Sequence, residues 1–480
     1  MKPIERGNGC VAFLCFLALS TTAALRDDSL VGDTKQCTGV RVGELRPTSV
    51  IIWTRSARTS TRQDAANAPL GPCPGANGKI YVQYSSDKGQ FGSDMPSSTN
   101  STAVPQTPTV SVGLATDFSH KFVLGSLEPD TVYYYRVFVQ QNQTSKRQSQ
   151  PTSYTPLSGT FRTPPHPTTS NSSTRFTLAT CQQYKGLDDP QGFGIYPSMA
   201  KQQPHFSVFL GDNVYFDNDI GPRATSVVKA RFHYQRMFSL PNLIEFHRNF
   251  GVYFSRDDHD TLYNNCDPSS PPAGSLTFKK GQALFMEQMP VDQLAPPGRS
   301  YSFGTNLKIW ILNCRDFKIP GKTVLGSRQK QWLKSTVIES KASWRLILTS
   351  TPIVGPDKPE PDNDNLSDPG FEKEGNEIRA FLGGKYASSG NIFVITGDRH
   401  WQYHSVDPGT GLHEFDGGPA SDAHVQINPP GFQPKYHKFY RKGGGFVSVD
   451  ANASTLVIRL HDVAGTVKHS FTANARRPVH

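Results

Sequence analysis

The stretch that decides the fold is Phe206-Ser207-Val208-Phe209-Leu210-Gly211-Asp212-Asn213-Val214-Tyr215, in which a short apolar run ends in a polar turn. A run of five mostly apolar residues bounded by glycine is typical of a strand that is buried on both faces. Strands of this kind occur in α/β domains, where helices cover the sheet. The stretch therefore predicts an α/β domain, and further runs of the same type define its extent.

Four other apolar runs have the same character: Phe176–Ala179, Leu307–Leu312, Trp344–Leu348 and Ile392–Thr396. They alternate with polar or helix-like segments such as Ser327–Glu339, as expected when helices connect buried strands. Strand periodicity returns near the end of the chain, in Gly445–Val449, Thr455–His461 and Val467–Phe471. We predict one α/β domain with mixed β-sheets over residues 175–475, with these last strands completing one of its sheets.

The preceding residues, 35–163, predict an all-β sandwich. Alternating runs are separated by Gly, Pro, Ser and Asn, the pattern of short strands and turns, at Ser49–Thr54, Ile80–Tyr84, Lys121–Leu124 and Val132–Val139. The segment Leu127–Val137 resembles the corner of a fibronectin type III domain, where a tyrosine ties a turn to a strand. We expect a separate, fibronectin type III-like sandwich, followed by a linker at residues 164–174 that is rich in Pro, Thr and Ser.

The first residues predict export. Lys2 and Arg6 precede an apolar run from Cys10 to Leu19 and small residues up to Ala24, the order found in a signal peptide at residues 1–24. The run is too short to cross a bilayer, which takes about twenty residues, and no later run is longer. A cytosolic chain with an apolar start is the alternative. We expect a secreted, extracellular protein without a transmembrane segment.

Composition and charge limit the number of domains and the kinds of binding partner. The 480 residues, 36% of them hydrophobic, suggest roughly two to three domains, of which we assume two. The net charge of +10 comes from scattered basic residues, and no specific nucleic-acid-binding motif is present. We interpret the charge as a solvated basic surface.

Cysteines and glycosylation triplets agree with export. After removal of the signal peptide, Cys37 with Cys73 and Cys266 with Cys314 are plausible disulfides by position, although sequence does not fix connectivity, and Cys181 is then left over. Five Asn-x-Ser/Thr triplets in polar surroundings predict surface glycosylation, at Asn100, Asn142, Asn171, Asn365 and Asn452.

Polar clusters follow the predicted strands, each directly after an apolar run. They are Cys181, Gly211–Tyr215, Asp257–Asp260 after the run Gly251–Phe254, Asn313–Arg315 and Gly397–His400. Because the carboxyl ends of strands converge in an open α/β sheet, these side chains are expected to meet. So many carboxylates would repel one another without bound cations. A multi-metal site follows from this expectation.

These clusters together resemble the alkaline phosphatase D (PhoD-like) family of calcineurin-like metallophosphoesterases. The matching elements are Cys181, Gly211-Asp212-x-x-Tyr215, Asp257–Asp260, Leu325-Gly326 with Gln329–Leu333, and Gly397–His400, within a match over residues 35–470. The resemblance implies a metal-dependent phosphoesterase that acts on phosphomonoesters, phosphodiesters or both. It implies attack on phosphorus by a metal-activated hydroxide.

The resemblance also implies roles for single residues at a site with Fe3+ and Ca2+. Cys181 and Tyr215 would bind iron, Asp212 would bridge metals, and Asp398 and His400 would complete the coordination. Asp258 stands where related enzymes have a ligand asparagine, and whether Asn264 or Asn265 reaches a metal stays open. His259 would protonate the leaving oxygen. Arg315 would bind a phosphate oxygen, with a structural salt bridge as the alternative.

The chain departs from the family pattern at Asn313-Cys314, where an Asp-x pair is expected, and at Asp260, where Glu is usual. Two alternative functions remain. A purple-acid-phosphatase-like monoesterase shares the architecture, but its Gly-Asn-His and Gly-His-x-His blocks are missing. A secreted binding or adhesion protein with a decayed enzyme domain would have lost Asp212, His259 or Asp398, and all three are present.

Overall fold

A computed structural model of the chain describes residues 32–63, 71–91, 104–141, 152–292, 298–356, 364–385 and 391–475. The strands of the N-terminal part are β1 (Val40–Arg46), β2 (Ser49–Arg55), β3 (Gly78–Ser85), β4 (Val110–Val112), β5 (Ser119–Leu124), β6 (Val132–Gln141), β7 (Thr152–Ser153) and β8 (Leu157–Arg162). The remaining strands are β9 (Thr174–Ala179), β10 (Phe206–Leu210), β11 (Val252–Ser255), β12 (Arg299–Phe303), β13 (Leu307–Ile311), β14 (Trp344–Leu348), β15 (Ile392–Thr396), β16 (Gln402–Val406), β17 (His413–Gly417), β18 (His437–Arg441), β19 (Gly445–Ala451), β20 (Thr455–Asp462) and β21 (Val467–Asn474). The α-helices are α1 (Ile195–Ala200), α2 (Val227–Phe238), α3 (Pro241–Asn249), α4 (Phe278–Gln288), α5 (Gly326–Glu339) and α6 (Glu372–Arg379).

Two mixed sheets organise residues 175–475, as the sequence predicted, and the larger one also includes N-terminal strands. The larger sheet has the order β21-β20-β19-β9-β10-β11-β1-β2-β5, and β9, β10, β11 and β1 run parallel. The second sheet has the order β12-β13-β14-β15-β17-β16-β18, with β13, β14, β15 and β17 parallel. The late strands complete the larger sheet, because β19 pairs with β9. A third, antiparallel sheet contains β3, β4, β6, β7 and β8.

Alternation of side chains along the strands explains the layers. Phe206 and Leu210 of β10 pack into a core between the two large sheets, whereas Phe209 points to the opposite face and packs among α1 to α4. In β14, Leu346 packs between the sheets and Ile347 packs beneath α5 and α6. Successive strand residues face opposite sides, so strands covered on both faces must be apolar throughout. The two sheets are therefore stacked, with helices outside each.

The N-terminal strands are less separate than predicted. Gly43 of β1 pairs in parallel with Val252 of β11, so β1, β2 and β5 extend the larger sheet. Arg41 of β1 lies 3.6 Å from the Trp53 ring and 4.4 Å from the ring of Phe238 in α2. The expectation of a separate sandwich is wrong on this point. The physical reason is that β1 covers an edge of β11 that would otherwise expose unpaired backbone groups.

Hydrogen bonds in this region bear on two predictions, the tyrosine corner and the linker. The backbone N–H of Glu128 donates to the Tyr133 hydroxyl, 2.9 Å away, which is the predicted tie between turn and strand. The segment expected to be a linker is hydrogen-bonded to the β12–β13 hairpin. The N–H of Thr305 donates to Thr169 O (2.9 Å), and the side-chain amide of Asn306 donates to Ser172 O (2.6 Å).

One predicted disulfide is present and the other is not. Cys37 and Cys73 are bonded, with a Cα–Cα distance of 5.7 Å. The pairing of Cys266 with Cys314 is wrong, because both are free, buried thiols in different cores. The Cys266 thiol instead donates to the carbonyl oxygen of Asp258, 3.5 Å away. Position in the sequence did not reveal that these cores lie on the outer faces of the two stacked sheets.

The predicted glycosylation sites differ in their exposure to solvent. Asn171 is exposed and Asn452 is partly exposed, whereas Asn365 is fully buried and its amide donates to Asp364 (2.5 Å) and Asp368 (3.0 Å). Surface glycosylation at Asn365 is therefore a wrong prediction. Asn100, Asn142 and the signal peptide at residues 1–24 lie outside the described residues. No helix in the described part of the chain is long and apolar enough to span a bilayer.

Candidate metal centre

Three strand ends present the first candidate ligands. Cys181, Asp212 and Asp398 each stand two residues beyond a strand, after β9, β10 and β15. Each has a left-handed backbone, with φ of 53°, 53° and 67°. This conformation is unusual for residues other than glycine and is often retained at functional sites. Strands of both large sheets thus deliver their polar residues to one place.

The candidate ligand atoms lie close together. Within each of three groups they are no more than 4.8 Å apart: Cys181, Asp212 and His400; Asp212, Asp258 and His259; and Asp212, Asp257 and Asp398. Asp212 belongs to all three groups. The structure therefore brings together five of the six metal-ligand residues that were predicted, together with His259, and adds Asp257.

Tyr215, the sixth predicted ligand, lies against the same group. Its hydroxyl donates to Asp212 Oδ2 at 2.8 Å and is 3.5 Å from Nε2 of His400. Its ring stacks on that of His259 with centroids 4.3 Å apart. Tyr215 is buried, so the hydroxyl is fixed by the cluster rather than by solvent.

Burial and mutual repulsion dominate the electrostatics of this cluster. Burial raises the pKa of Asp212 well above its usual value, and Asp258, Asp257 and Asp260 raise it further, although His259 lowers it. Burial likewise raises the pKa of the Cys181 thiol and of the Tyr215 hydroxyl, and the Asp212 carboxylate adds to both effects. Among the described residues, Asp212 Oδ1 has no hydrogen-bond partner. Buried acidic groups with an unsatisfied oxygen fit a site that exchanges protons for metal ions.

His259 is oriented by a carboxylate that sequence reasoning missed. Its Nδ1 is 2.6 Å from Oδ1 of Asp217, and this leaves Nε2 directed elsewhere. Burial alone would lower the pKa of His259, but Asp258, Asp212 and Asp217 together raise it to about 10. Asp217 also accepts from the backbone N–H of Asn264, at 2.9 Å. Asp217 follows the recognised cluster by two residues, and nothing in its local sequence distinguished it from a surface aspartate.

Arg315 lies beneath the cluster. Its side chain is 0% exposed, its Nε donates to Asp257, and its Nη2 is 3.5 Å from Asp258 Oδ1 and 3.7 Å from Asp364 Oδ2. The guanidinium lies among three carboxylates and offsets their charge, but its Nη1 and Nη2 have no hydrogen-bond partner among the described residues. The ion pairs fit the structural alternative, and the contact of Arg315 with a phosphate oxygen stays a prediction.

Asp260 holds two of the ligand loops together. Its Oδ2 accepts from the backbone N–H (3.1 Å) and the side-chain amide (2.6 Å) of Asn213, and its Oδ1 accepts from the N–H of Asp257 (2.7 Å). The choice between Asn264 and Asn265 stays open. Asn265 donates its N–H to the Asp258 carboxylate, whereas Asn264 is exposed beside Asp217.

His424 is a further residue that the sequence did not indicate. Its ring lies 4.0 Å from that of His400, and its Nδ1 is 3.1 Å from the carbonyl oxygen of Cys181. In the sequence it belongs to a polar segment that is distant from every strand-end cluster, so only the fold brings it to the site. Arg399 supports the opposite side, with Nη1 donating to Asp398 Oδ2 at 2.5 Å.

Comparison with known proteins bears on this site directly. A family model described as PhoD-like phosphatase matches residues 176–442, and a second model, described as the PhoD-like phosphatase N-terminal domain, matches residues 22–165. The chain belongs to the PhoD-like phosphatase family. This confirms the resemblance carried by the strand-end clusters.

One curated relative is alkaline phosphatase D from Bacillus subtilis (strain 168). It is 23% identical over 332 residues, which cover 57% of this chain and 52% of the relative. The chain therefore aligns with about half the length of that relative.

Solved structures share the fold with this PhoD-like chain. A structure of PhoD has a TM-score of 0.72 at 19% identity, covering 92% of this chain and 91% of the other. A purple acid phosphatase from yellow lupin (Lupinus luteus) seeds has a TM-score of 0.61 at 12% identity, covering 91% and 74%. The similarity to the purple acid phosphatase shows that the two proteins share a fold. At 12% identity it shows nothing beyond the fold.

Proposed function

We propose that this chain is a secreted, metal-dependent phosphoesterase that hydrolyses phosphomonoesters, phosphodiesters or both. The observation that carries the proposal is the shared position of Asp212 in three groups of ligand atoms, each within 4.8 Å. A carboxylate common to adjoining groups suits a site with more than one cation. Phosphoester hydrolysis benefits from such sites because two cations can stabilise the attacking and leaving oxygens together.

The chemistry of the side chains supports Fe3+ and Ca2+ as the metals. Cys181, Tyr215 and His400 supply thiolate, phenolate and imidazole, which transition metals accept and calcium does not. Asp212, Asp258 and Asp398 supply carboxylate oxygens, which suit a hard cation. When bound, such cations polarise phosphoryl oxygens and lower the pKa of water toward neutrality.

The chain's own residues complete the reaction. His259 holds a proton at Nε2 for the leaving oxygen, because Asp217 accepts from Nδ1 and keeps the ring charged and oriented. Arg315 positions Asp257 and Asp258 through its buried guanidinium. Tyr215 packs on His259 and limits its rotation.

We also propose the domain limits and the export that the sequence predicts. They comprise a signal peptide at 1–24, a fibronectin type III-like region at 35–163 whose strands β1, β2 and β5 join the larger sheet, a linker at 164–174 and the catalytic domain at 175–475. The Cys37–Cys73 disulfide supports an oxidising compartment, and the exposed side chain of Asn171 and the partly exposed one of Asn452 leave room for glycans. The phosphate-ester substrate class rests on family membership.

Metal analysis coupled to a substrate panel tests the proposal. The purified protein is assayed on a chromogenic phosphodiester and a chromogenic monoester, before and after prolonged chelation, at acid to alkaline pH. We expect hydrolysis at neutral to alkaline pH that chelation abolishes and added iron and calcium restore. The variant Asp212→Asn should lose metal and activity, whereas Asp87→Asn, at an exposed aspartate of the N-terminal part, should lose neither. Full activity in a metal-free sample would contradict the mechanism, and an acid optimum with monoesters alone would favour the purple-acid-phosphatase alternative.

A further inference from the structure

A groove of about 940 Å³ opens beside the candidate metal centre. It is bounded by the loop 316–323, the first turn of α5, the start of α6, and Pro268 and Ser269. Its size is within the range of small-molecule sites. None of the residues assigned above to the metals or to catalysis lines it, so the groove is a separate feature of the surface.

The groove carries an excess of positive charge. Each carboxylate in its lining has a basic partner: Asp316 pairs with Arg256, while Glu374 and Glu377 pair with Lys330 at 3.4 and 2.8 Å. Three further cations in the lining are exposed and have no ion pair with any described residue, namely Lys322, Arg328 and Lys373. The uncompensated charge therefore faces solvent inside a concave surface, where field lines are focused and anions are attracted.

A chain of contacts connects the groove to the metal centre. Lys318 lines the groove and is only 4% exposed, and its Nζ donates to the carbonyl oxygen of Asn265 at 3.2 Å. The N–H of Asn265 in turn donates to the carboxylate of Asp258, a candidate metal ligand. The segment from Asp258 to Ser269 therefore forms a wall common to both.

The start of α5 adds to the same field. The helix has 14 residues, begins at Gly326 and has no side-chain cap at its N-terminus. Gly326 adopts φ of 68°, which turns the loop into the helix. The N–H of Gly326 donates to Thr323 Oγ1 at 2.8 Å and that of Leu325 to Glu374 Oε2 at 3.4 Å, so the helix favours anions through its dipole rather than through these two donors. The dipole supplements the three side-chain cations and does not define the site alone.

We propose that this groove binds a second phosphate group of the substrate while the ester to be cleaved lies at the metal centre. The ligand chemistry is a phosphate oxyanion held by Lys322, Arg328 and Lys373. Arg and Lys suit it because their hydrogen bonds to phosphate are charge-assisted. The assignment rests on the proposed function and names its substrate class: phosphate esters that carry another phosphate a short distance from the one that reacts. Free inorganic phosphate has the same chemistry and is the other possible occupant.

A matched pair of substrates tests the assignment. Thymidine 3′-(4-nitrophenyl phosphate) and its 5′-phosphorylated counterpart differ by one phosphate and release the same chromophore. We expect the 5′-phosphate to raise kcat/KM about tenfold in the wild-type protein, the size typical of a hydrogen bond to a charged group. The double variant Lys322→Ala/Arg328→Ala should lose this preference and hydrolyse the unphosphorylated diester as before. Rising salt should reduce the preference, since exposed charges are screened.

The control removes the same charge elsewhere. The double variant Lys79→Ala/Lys201→Ala loses two exposed lysines that do not line the groove, and it should keep the full preference. If both double variants lose the preference equally, the effect comes from net charge and the groove assignment fails. If the groove variant keeps the wild-type preference and the wild-type sensitivity to inorganic phosphate, the assignment is likewise overturned.

Inhibition by inorganic phosphate distinguishes the two occupants. A non-competitive component that disappears in Lys322→Ala/Arg328→Ala, without a change in substrate preference, assigns the groove to free phosphate. If the wild-type protein hydrolyses neither these diesters nor a chromogenic monoester, the proposed function fails instead. The groove is then tested alone by calorimetric binding of pyrophosphate, which should weaken about tenfold in the groove variant and not in the control.

Discussion

At the level of single residues, His259 and Asp217 have different roles: His259 is the proposed proton donor, and Asp217 orients its ring. The carboxylate fixes one ring nitrogen at 2.6 Å and leaves the other for the leaving oxygen. Asp217 contacts His259 and the backbone of Asn264 and is in none of the groups of ligand atoms, so it is a positioning residue rather than a ligand.

Replacing His259 by alanine should leave the metals bound and remove most turnover. General acid catalysis contributes about a hundred- to ten-thousand-fold, and a poor leaving group needs it more than a good one. We expect a larger loss of kcat with an alkyl ester than with a 4-nitrophenyl ester. Metal content and both rates are measured on the same preparation. Equal losses for the two leaving groups would exclude the acid role.

Asp217→Asn should lower the alkaline limit of activity. Asp217 raises the pKa of His259, and a general acid works only below its pKa, so removing the charge should move the loss of activity to lower pH. The pH–rate profile checks this direction. Asp219→Asn is the matched control: Asp219 lies in the same loop but pairs with Arg236 at 2.8 Å, so its loss should reduce stability and leave the limit unchanged. An unmoved limit in Asp217→Asn would show that the carboxylate does not act through His259.

Cys181→Ala should lose iron, colour and activity together while the protein stays folded. Thiolate and phenolate bound to ferric iron give charge-transfer absorption, and thiolate is a ligand that calcium does not replace. Absorption spectra and metal analysis provide the measurement. Cys314→Ala removes another buried, free thiol that belongs to none of the ligand groups, and it should keep its iron. A colourless, fully active wild type, or a Cys181→Ala protein that keeps its iron, would contradict the assignment.

At the scale of elements, α4 supports the loop that carries Asp257 to Asp260. Gly281 of α4 lies so close to Thr261 that an added Cβ would overlap the Thr261 carbonyl oxygen. Gly281→Ala should therefore separate helix and loop, destabilise the fold by about 1–3 kcal/mol and reduce turnover. Gly384→Ala is the control, because its Cβ would meet no atom within 4 Å. Thermal unfolding and kcat measure the two effects, and an unchanged Gly281→Ala protein would show that the contact is not needed.

The elements show which features sequence can reveal. The strands β9, β10, β13, β14 and β15 were predicted because strands buried on both faces must be apolar, and that requirement is visible residue by residue. The residues after them were found because a strand end fixes its position at the sheet edge. Asp217 and His424 were not predicted from the sequence, because both lie in polar segments and only tertiary packing directs them to the site. Likewise, neither the pairing of β1 with β11 nor the separation of Cys266 from Cys314 leaves a local pattern.

For the whole molecule, buried neutral histidines should govern stability in mild acid. Burial lowers the pKa of ten histidines in the described part of the chain, to about 4 for His233, His424 and His437; the others are His120, His205, His247, His404, His413, His461 and His469. A histidine whose folded pKa is below the unfolded 6.5 contributes stability above that pH, which is lost as pH falls toward the folded pKa. Burial also raises the pKa of six described carboxyl groups, to about 6 for Asp257 and about 7 for Asp260; the others are Asp188, Asp212, Glu414 and Asp416. These groups and His259, whose neighbouring carboxylates raise its pKa to about 10, act in the opposite direction but are fewer than the ten histidines. We expect the midpoint of thermal unfolding to fall from pH 7 to pH 5.

A substitution at His247 tests the contribution of one buried histidine to the pH dependence of stability. Its ring is buried among the rings of Tyr196, Phe209 and Phe254, and among the described residues neither nitrogen has a hydrogen-bond partner. His247→Phe should reduce the acid dependence by up to about 1.4 kcal/mol per pH unit below 6.5, because one proton fewer is taken up on unfolding. Unfolding at pH 5 and pH 8 gives the comparison. An unchanged slope would show that His247 is not held neutral.

The parallel pairing of β1 with β11 has a consequence for how the molecule is made. Translation delivers β1 first, and its neighbour β11 follows after about 200 further residues. The other side of the same sheet is completed only when β19 to β21 emerge near the carboxyl end. During synthesis, the N-terminal strands therefore have an unpaired edge, which favours association with other chains. Assembly of the largest sheet is thus tied to completion of the polypeptide.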